Sequence, residues 1–332
     1  MRRLLLGVSA FIACAPLGAQ TATTQMQAVS GPQEIDKTTQ TEDVKFRNEG
    51  YDRMTVPVRL SGTGPYRFLV DTGADRTAIS RQLAAQLKLV SGVSAELHSV
   101  AGVSTVSTAT VPSLQLTRNP VRIVDAALLD SVNMGADGIL GVDSLRSQRV
   151  TFDFTDQTMS IVPSAARDFA DEPGTIVVQA SRRNGRLVVT DANASGLGLT
   201  VVLDTGSQLS IGNLALRDRL LRKNLIDGAR EVELQSVTGE TLKGEFMFVR
   251  ELEIGGVTLK NLVVVFADAH TFKQLQLDSK PALLLGMNAM RAFKKVSIDF
   301  ANRKLRVIVP EHSALDTQVA AQVGARKLTA VQ

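Results

Sequence analysis

The chain has 332 residues, of which 44% are hydrophobic and 21% charged, with one cysteine and a formal net charge of +4. This composition is typical of a globular protein and excludes a fibrous or wholly disordered chain. The lone Cys14 excludes an internal disulfide, and His98, His270 and His312 are too far apart in sequence to predict a local metal cluster. Without the two arginines of a leader the net charge falls to about +2, so no nucleic-acid partner is predicted.

The N-terminus has the three parts of a secretory signal peptide. Two arginines precede an apolar run over residues 4–15, and Pro16-Leu17-Gly18-Ala19 supplies a small-residue cleavage site. We expect residues 1–19 to be removed and the protein to be exported, either to the periplasm or into the medium. A lipoprotein acylated on Cys14 and a buried N-terminal helix are the alternatives. No later apolar run reaches the length of about 18 residues that predicts a membrane span.

The rest of the chain divides into a flexible segment, two similar units and a tail. Residues 20–50 are rich in Thr, Gln and charge, and an Ala/Gln/Val tail covers residues 311–332. Both ends are predicted to be flexible, and residues 20–50 to be a linker or a pro-segment that lies in a cleft. The first unit is predicted at residues 51–163 and the second at residues 174–310.

Strand patterns dominate both units. In the first unit, apolar and polar residues alternate over Met54–Leu60 and Val111–Leu116, and an apolar run covers Tyr66–Val70. Helices are predicted at Ser80–Leu89 and Leu214–Leu225, with short ones around Ser144 and Ala289. The fold class is therefore all-β with minor helices, and units this rich in strands close into small barrels or sandwiches.

Four landmarks recur in the same order in the two units, which indicates an internal duplication. They are an Asp-Thr-Gly after an apolar strand, a Ser-Val-x-Gly, an apolar-apolar-Gly and a closing Asp-Phe strand. The pairs are Asp71–Gly73 and Asp204–Gly206, Ser99–Gly102 and Ser236–Gly239, Gly138–Gly141 and Leu283–Gly286, and Val150–Phe154 and Val296–Phe300. Two such units are well placed to pack about a pseudo-two-fold axis within one chain, so we expect a monomer.

The repeated Asp-Thr-Gly predicts a pair of carboxyl groups at that axis. If the units face each other there, Asp71 and Asp204 converge, and the two carboxyls cannot both ionise at modest cost. One carboxylate can then take a proton from a water while the protonated one polarises a peptide carbonyl. The alternative is a pair of structural turns in which each Asp caps its own loop.

The other residues of the repeated motif have the properties that such a pair needs. Gly73 and Gly206 would let the two backbones approach closely. The hydroxyls of Thr72 and Thr205 could hydrogen-bond across the interface between the units.

Taken together, these motifs resemble the retropepsin-like family of aspartic proteases, in a bacterial form with two fused units. The resemblance covers nearly all of residues 51–310. It implies two pseudo-symmetric β-barrel units and hydrolysis of peptide or protein substrates, without a cofactor or metal. The implied catalytic residues are Asp71 and Asp204, and the implied supporting residues are Thr72, Gly73, Ala74, Thr205, Gly206 and Ser207.

The resemblance also implies contacts to substrate. The two Ser-Val-x-Gly segments would lie near flap tips over the cleft, with the later Gly motifs packed behind the aspartates. Glycine at a flap tip suits a moving lid. The implied substrate-binding residues are Asp75, Gln208, Ala101, Gly102, Thr238 and Gly239.

The sequence departs from the viral members of the family at one place. They carry an arginine directly after the later Gly, where this chain has Val142 and Met287. Arg76 is a candidate replacement partner for Asp75, and an exposed surface charge is the alternative interpretation of Arg76.

The two motifs differ at the residue after the glycine, which predicts an asymmetric pair. Ala74 offers no side-chain donor, whereas the Ser207 hydroxyl could donate to its aspartate and favour the charged form. We therefore expect Asp204 to act as the base and Asp71 to hold the proton.

The predicted function is that of an exported aspartic endopeptidase, and the alternative is a non-catalytic peptide-binding module that kept the cleft. Retention of both complete Asp-Thr-Gly motifs favours activity, because a binding module needs none of the acid/base chemistry. The sequence contains no Gly-x-Ser-x-Gly and no His-Glu-x-x-His motif, so neither a serine hydrolase nor a zinc hydrolase is predicted.

Overall fold

The computed structural model describes residues 53–116, 121–166 and 172–310. It also defines the short strands Leu6–Gly7 (β1), Cys14–Ala15 (β2), Asp43–Lys45 (β3) and Asn48–Glu49 (β4). The predicted signal peptide, the segment at residues 20–50 and the tail at residues 311–332 lie outside the described ranges.

The described residues of the first unit form eleven strands and three short helices. The strands are Arg53–Leu60 (β5), Thr63–Val70 (β6), Ala78–Ser80 (β7), Val90–Ser91 (β8), Ala95–His98 (β9), Val103–Val106 (β10), Thr108–Gln115 (β11), Val121–Leu129 (β12), Gly138–Leu140 (β13), Gln148–Asp153 (β14) and Thr158–Pro163 (β15). The helices are Arg81–Gln86 (α1), Ser131–Met134 (α2) and Val142–Leu145 (α3).

The second unit contains thirteen strands and three helices. The strands are Thr175–Gln179 (β16), Ser181–Arg183 (β17), Arg186–Val189 (β18), Ala192–Ala194 (β19), Leu197–Gly198 (β20), Thr200–Leu203 (β21), Ser210–Gly212 (β22), Ile226–Gln235 (β23), Thr241–Ile254 (β24), Val257–Phe266 (β25), Ala282–Leu285 (β26), Lys295–Asp299 (β27) and Lys304–Ile308 (β28). The helices are Leu214–Arg222 (α4), His270–Gln274 (α5) and Met287–Met290 (α6).

The order of strands repeats between the units, which confirms the pseudo-symmetric all-β fold. The first unit's sheet has the order β4-β5-β6-β13-β7-β12-β11-β8, and the second unit's sheet contains the matching run β21-β26-β22-β25-β24. In each unit the strand before the aspartate pairs in parallel with the strand that ends at the later Gly motif, β6 with β13 and β21 with β26. Each pairing brings an Asp-Thr-Gly turn beside an apolar-apolar-Gly turn.

A third sheet joins the two units. Its order is β16-β28-β27-β14-β15-β3, so three strands of the second unit and two strands of the first unit lie side by side in one hydrogen-bonded layer. The two closing landmarks lie side by side in it, because β14 pairs antiparallel with β27 and Phe152 faces Val296. Phe152 and Phe300 are completely buried in a hydrophobic core that includes residues of both units.

The two longer helices predicted from the sequence are present, and each begins directly after a residue whose side chain caps it. α1 begins after Ser80, whose hydroxyl accepts the Leu83 N–H at 3.0 Å, and α4 begins after Asn213, whose side chain accepts the Leu216 N–H at 2.8 Å. Both are shorter at the C-terminal end than the apolar pattern predicts. The short helices around Ser144 and Ala289 are α3 and α6, whereas α2 and α5 were not predicted. No helix among the described residues is both long and apolar enough to cross a membrane.

Candidate active site

The two aspartates stand at equivalent places in the two units. The Asp71 N–H donates to the Leu140 carbonyl at 3.0 Å, and the Asp204 N–H donates to the Leu285 carbonyl at 3.1 Å. Each aspartate is thus tied to the strand that ends in the later Gly motif. Both residues are completely buried.

Thr72 and Thr205 connect the two motifs by hydrogen bonds. The Thr72 hydroxyl donates to the Leu203 carbonyl at 2.9 Å and accepts the Thr205 N–H at 3.1 Å. The Thr205 hydroxyl donates to the Val70 carbonyl at 2.8 Å and accepts the Thr72 N–H at 3.0 Å. Four reciprocal hydrogen bonds therefore cross the interface between the units, where the sequence predicted that the hydroxyls could bond.

Each carboxyl is held by the backbone of its own turn. Asp71 Oδ1 accepts the N–H groups of Gly73 and Ala74 at 2.8 and 3.0 Å. Asp204 Oδ1 accepts the N–H groups of Gly206 and Ser207, both at 3.1 Å. These bonds leave the Oδ2 atom of Asp71 buried with no hydrogen-bond partner among the described residues.

Gly206 brings the two turns into direct contact. A Cβ atom at this position would lie 2.3 Å from the Asp71 carboxyl carbon and from its Oδ2 atom. No side chain fits there, so the glycine is what allows the backbone of the second unit to reach the carboxyl of the first. The predicted approach was between the two backbones, whereas the contact observed at Gly206 is with the Asp71 side chain.

Burial raises the pKa of Asp71 well above its ordinary value of 3.8. The nearby Asp204 carboxyl raises this pKa further, whereas the N–H groups of Gly73 and Ala74 and the charge of Arg186 lower it. The net effect is a carboxyl that retains its proton well above the pH at which an exposed aspartate loses it. Two adjacent buried carboxyls, of which one keeps a proton, can supply an acid and a base.

The predicted role of the Ser207 hydroxyl is wrong. This hydroxyl donates to the Leu209 carbonyl at 2.6 Å, so it is not the donor to Asp204 that the sequence suggested. Ser207 contacts its aspartate through the backbone N–H, as Ala74 does in the other unit. The side chain that distinguishes the two motifs therefore does not explain an asymmetry between the carboxyls.

The cation beside Asp75 is Arg186, from the other unit, and not Arg76. Arg76 is exposed, whereas Arg186 is completely buried and its Nε lies 3.9 Å from Asp75 Oδ1. The same Nε donates to the Gly73 carbonyl at 2.7 Å. Arg186 thereby spans the interface, and its position at the start of β18 carried no signal that sequence reasoning used.

A second pair of residues was also missed, although the repeat contained a signal for it. Asp143 and Asn288 each stand two residues after the later glycine. Asp143 Oδ1 accepts the Thr77 N–H and hydroxyl, both at 2.9 Å, and Asn288 Oδ1 accepts the Ser210 N–H at 2.8 Å. They fix the segments that follow the two Asp-Thr-Gly motifs.

The later glycines lie against those same segments. A Cβ at Gly141 would lie 2.4 Å from the backbone of Arg76, and one at Gly286 would lie 2.5 Å from the backbone of Leu209. Gln208 is half-buried, and its carbonyl accepts the Asn288 N–H at 2.9 Å.

Two hairpins carry the predicted flap-tip residues. We call the hairpin of β9 and β10, residues 95–106, the first flap, and residues 232–244 of the β23–β24 hairpin the second flap. Both tips have the same local structure, since Ala101 N–H donates to Ser99 Oγ and Thr238 N–H donates to Ser236 Oγ, each at 3.2 Å. The two tip glycines are Gly102 and Gly239, with φ angles of 154° and 86°.

Each flap buries a valine in the opposite unit. Val100 of the first flap is completely buried in a hydrophobic cluster of the second unit that includes Val202, Leu209 and Leu284. Val237 of the second flap is likewise buried in a cluster of the first unit that includes Leu69, Ala74 and Ile139. Both clusters include residues within five positions of an aspartate in sequence, so each flap packs beside the Asp-Thr-Gly motif of the opposite unit.

The distance between the histidines in sequence did not predict their position in space. His98 of the first flap and His270 of α5 are adjacent, with His98 Nδ1 2.8 Å from His270 Nε2. Within the described part of the chain, no group of three or more His, Cys, Asp or Glu side chains is arranged to hold a metal ion.

Two family models match the chain in tandem. The one described as "gag-polyprotein putative aspartyl protease" matches residues 56–147, and the one described as "Aspartyl protease" matches residues 190–289. No curated protein matches the chain significantly.

Two solved structures are similar to the chain at low identity. The Basic 7S globulin from soybean has 9% identity and a TM-score of 0.42, over 84% of this chain and 97% of its own. A retropepsin-like aspartic protease from Rickettsia conorii has 19% identity and a TM-score of 0.29, over 40% of this chain and 89% of its own. Each of the two tandem family matches contains one Asp-Thr-Gly, and the chain belongs to the retropepsin-like aspartic protease family as a duplicated member with both units in one chain.

Proposed function

We propose that the protein is an aspartic endopeptidase in which Asp71 and Asp204 are the catalytic pair. The observation that carries the proposal is the close approach of the Gly206 backbone to the buried Asp71 carboxyl, with four hydrogen bonds between Thr72 and Thr205 and the opposite motifs. A peptide-binding module would have no use for an interface that confines two carboxyls in this way, since burying them is costly.

The chemistry follows from the shared proton. A water between the carboxyls loses a proton to ionised Asp204 as its oxygen bonds to the peptide carbonyl carbon, and Asp71 gives its proton to the carbonyl oxygen. Asp204 then passes the proton that it took from water to the leaving nitrogen. A hydroxyl of the tetrahedral intermediate returns a proton to Asp71 as the C–N bond breaks, which yields an acid and an amine and restores the pair. Burial and the Asp204 charge raise the pKa of Asp71, which supports a pair that retains one proton. One water is consumed for each bond cleaved.

Substitution of each aspartate by asparagine tests the proposal. We expect Asp71→Asn and Asp204→Asn each to lower hydrolysis of a mixed peptide library by about 10²–10⁴-fold or more, because either change removes the acid/base pair. Product peptides are measured by mass spectrometry, with and without a statine-type inhibitor. The matched control is Asp156→Asn, which makes the same change at an exposed turn.

Two outcomes would contradict the proposal. Wild-type turnover in either variant would remove the pair from catalysis. Binding of peptides by the wild type without any cleavage would favour the non-catalytic binding module.

We also propose export, on the strength of the N-terminal sequence. The mature N-terminus distinguishes the two routes, because cleavage after Ala19 leaves Gln20 first and lipidation leaves a modified Cys14 first. A mature protein that still begins at Met1 would contradict export by either route.

A further inference from the structure

The first flap is joined to the second unit by a pair of histidine rings. His98 is the last residue of β9, and His270 begins α5. Their nitrogens Nδ1 and Nε2 are 2.8 Å apart, and the rings stack with centroids 5.1 Å apart and an angle of 18° between their planes. Such a contact needs one N–H donor and one bare nitrogen acceptor, so it cannot form when both rings are protonated.

Two further contacts hold the same flap. The backbone N–H of His270 donates to the Val100 carbonyl at 2.8 Å. The Val100 side chain is completely buried in the hydrophobic cluster of the second unit. Because His270 provides both the ring partner and the backbone donor, movement of the first flap away from α5 would break both contacts.

The second flap has the same attachment with different chemistry. Gln235 stands directly before its Ser-Val-x-Gly segment, as His98 does in the first flap, and Gln235 Nε2 donates to Asn133 Oδ1 of α2 at 3.5 Å. Val237 is buried in the cluster of the first unit. The pseudo-symmetric attachment is thus made of amides, which do not titrate, whereas the attachment of the first flap is made of imidazoles.

Nearby charges have opposing effects on the pKa values of the two histidines. Burial has the largest effect and lowers both pKa values. Burial lowers the pKa of His98 from its ordinary 6.5, and Arg186 lowers it too, whereas Glu96 and Asp75 raise it. Burial, the adjacent His98 and Lys273 lower the pKa of His270 from 6.5, whereas Asp268 raises it. The closed flap therefore favours two neutral rings at neutral pH.

We propose that His98 and His270 form a proton-operated latch, which holds the first flap closed while at least one ring is neutral and releases it when both are protonated. Opening separates the rings and returns them to solvent, so the open flap binds more protons than the closed flap. Lower pH consequently favours opening, by about tenfold per pH unit for each proton taken up. The second flap stays closed, and the cleft opens from one side. His98 and His270 are positioning residues in this mechanism.

Hydrogen exchange of the full-length protein tests the latch without any measurement of hydrolysis, so its outcome is independent of the proposed function. The wild type is compared with the double variant His98→Gln and His270→Asn, which copies the amide attachment of the second flap. Exchange is followed by mass spectrometry at about pH 7.5 and about pH 5, and comparison of two proteins at one pH cancels the intrinsic effect of pH on exchange rates.

We expect acidification to reduce the protection of residues 95–106 by about tenfold or more in the wild type, relative to the double variant. Residues 232–244 are the internal control and should behave alike in both proteins. Equal pH dependence of the first flap in the two proteins would overturn the proposal.

A second variant tests the latch if the double variant does not fold or does not close. Asn133→His with Gln235→His transplants the imidazole pair to the second flap. We expect residues 232–244 to become less protected at about pH 5 in this variant than in the wild type. A second flap whose protection is unchanged by the transplant, in a folded protein, would contradict the latch.

Discussion

At the residue scale, the buried carboxyl of Asp71 has a cost that depends on pH. Its raised pKa means that the folded protein binds this proton more tightly than the unfolded chain does. The penalty is absent below the unfolded value of about 3.8 and grows as the pH rises towards the folded pKa, so this group lowers stability at neutral pH. Asp71→Asn keeps an oxygen to accept the Gly73 and Ala74 N–H groups and removes the charge. We expect it to raise Tm at pH 7, by about 2–4 °C for each kcal/mol of penalty relieved.

The gain should disappear as the pH falls towards 4, which thermal unfolding over a series of pH values would reveal. Asp143→Asn is the matched control. Its carboxylate accepts hydrogen bonds from the N–H and hydroxyl of Thr77, and asparagine stands at the equivalent place in the second unit. A stabilisation by Asp71→Asn that is the same at every pH would show that charge burial is not its cause.

At the scale of elements, the ends of β6 and β21 are held together by the reciprocal bonds of Thr72 and Thr205. Thr205→Ala removes the hydroxyl that donates to the Val70 carbonyl and accepts the Thr72 N–H, and it leaves both groups buried without that partner. We expect a loss of about 1–3 kcal/mol in the free energy of unfolding, measured from the urea midpoint. Thr205→Ser keeps the hydroxyl and should retain most of the stability. If the serine and alanine variants were equally destabilised, the missing methyl group rather than the hydrogen bonds would be responsible.

At the scale of the whole molecule, the sheet shared by the two units makes them one folding unit. Removing either unit would expose the edge of β14 or β27 and open the common core around Phe152 and Phe300. We therefore expect residues 1–170 and 171–332 to be insoluble or unfolded when expressed separately, and to give a folded complex when expressed together.

The intact chain is expected to be a monomer by light scattering, with activity per mole that does not change on dilution. Independent folding of either half, or activity that rises with concentration, would contradict pairing within one chain.

Local pattern was sufficient to predict the duplicated architecture and the central residues of the site. Strand alternation, the two Asp-Thr-Gly motifs and the helix after each motif are properties of short segments, and the repeat implied that equivalent segments meet at an axis. The bonds of Thr72 and Thr205 lie where that reasoning put them. The same reasoning failed for the Ser207 hydroxyl, because this hydroxyl donates to the Leu209 carbonyl two residues further along the chain.

Only the tertiary structure decided which distant side chains meet across the axis. Arg186 lies 113 residues from Gly73, and His98 lies 172 residues from His270. Such contacts depend on how the sheets of the two units are registered and on how far each flap reaches, and neither property leaves a periodic trace in the sequence. The sequence alone therefore determined the two units and their aspartates, whereas the packing of one unit on the other determined the cation beside Asp75 and the attachment of each flap.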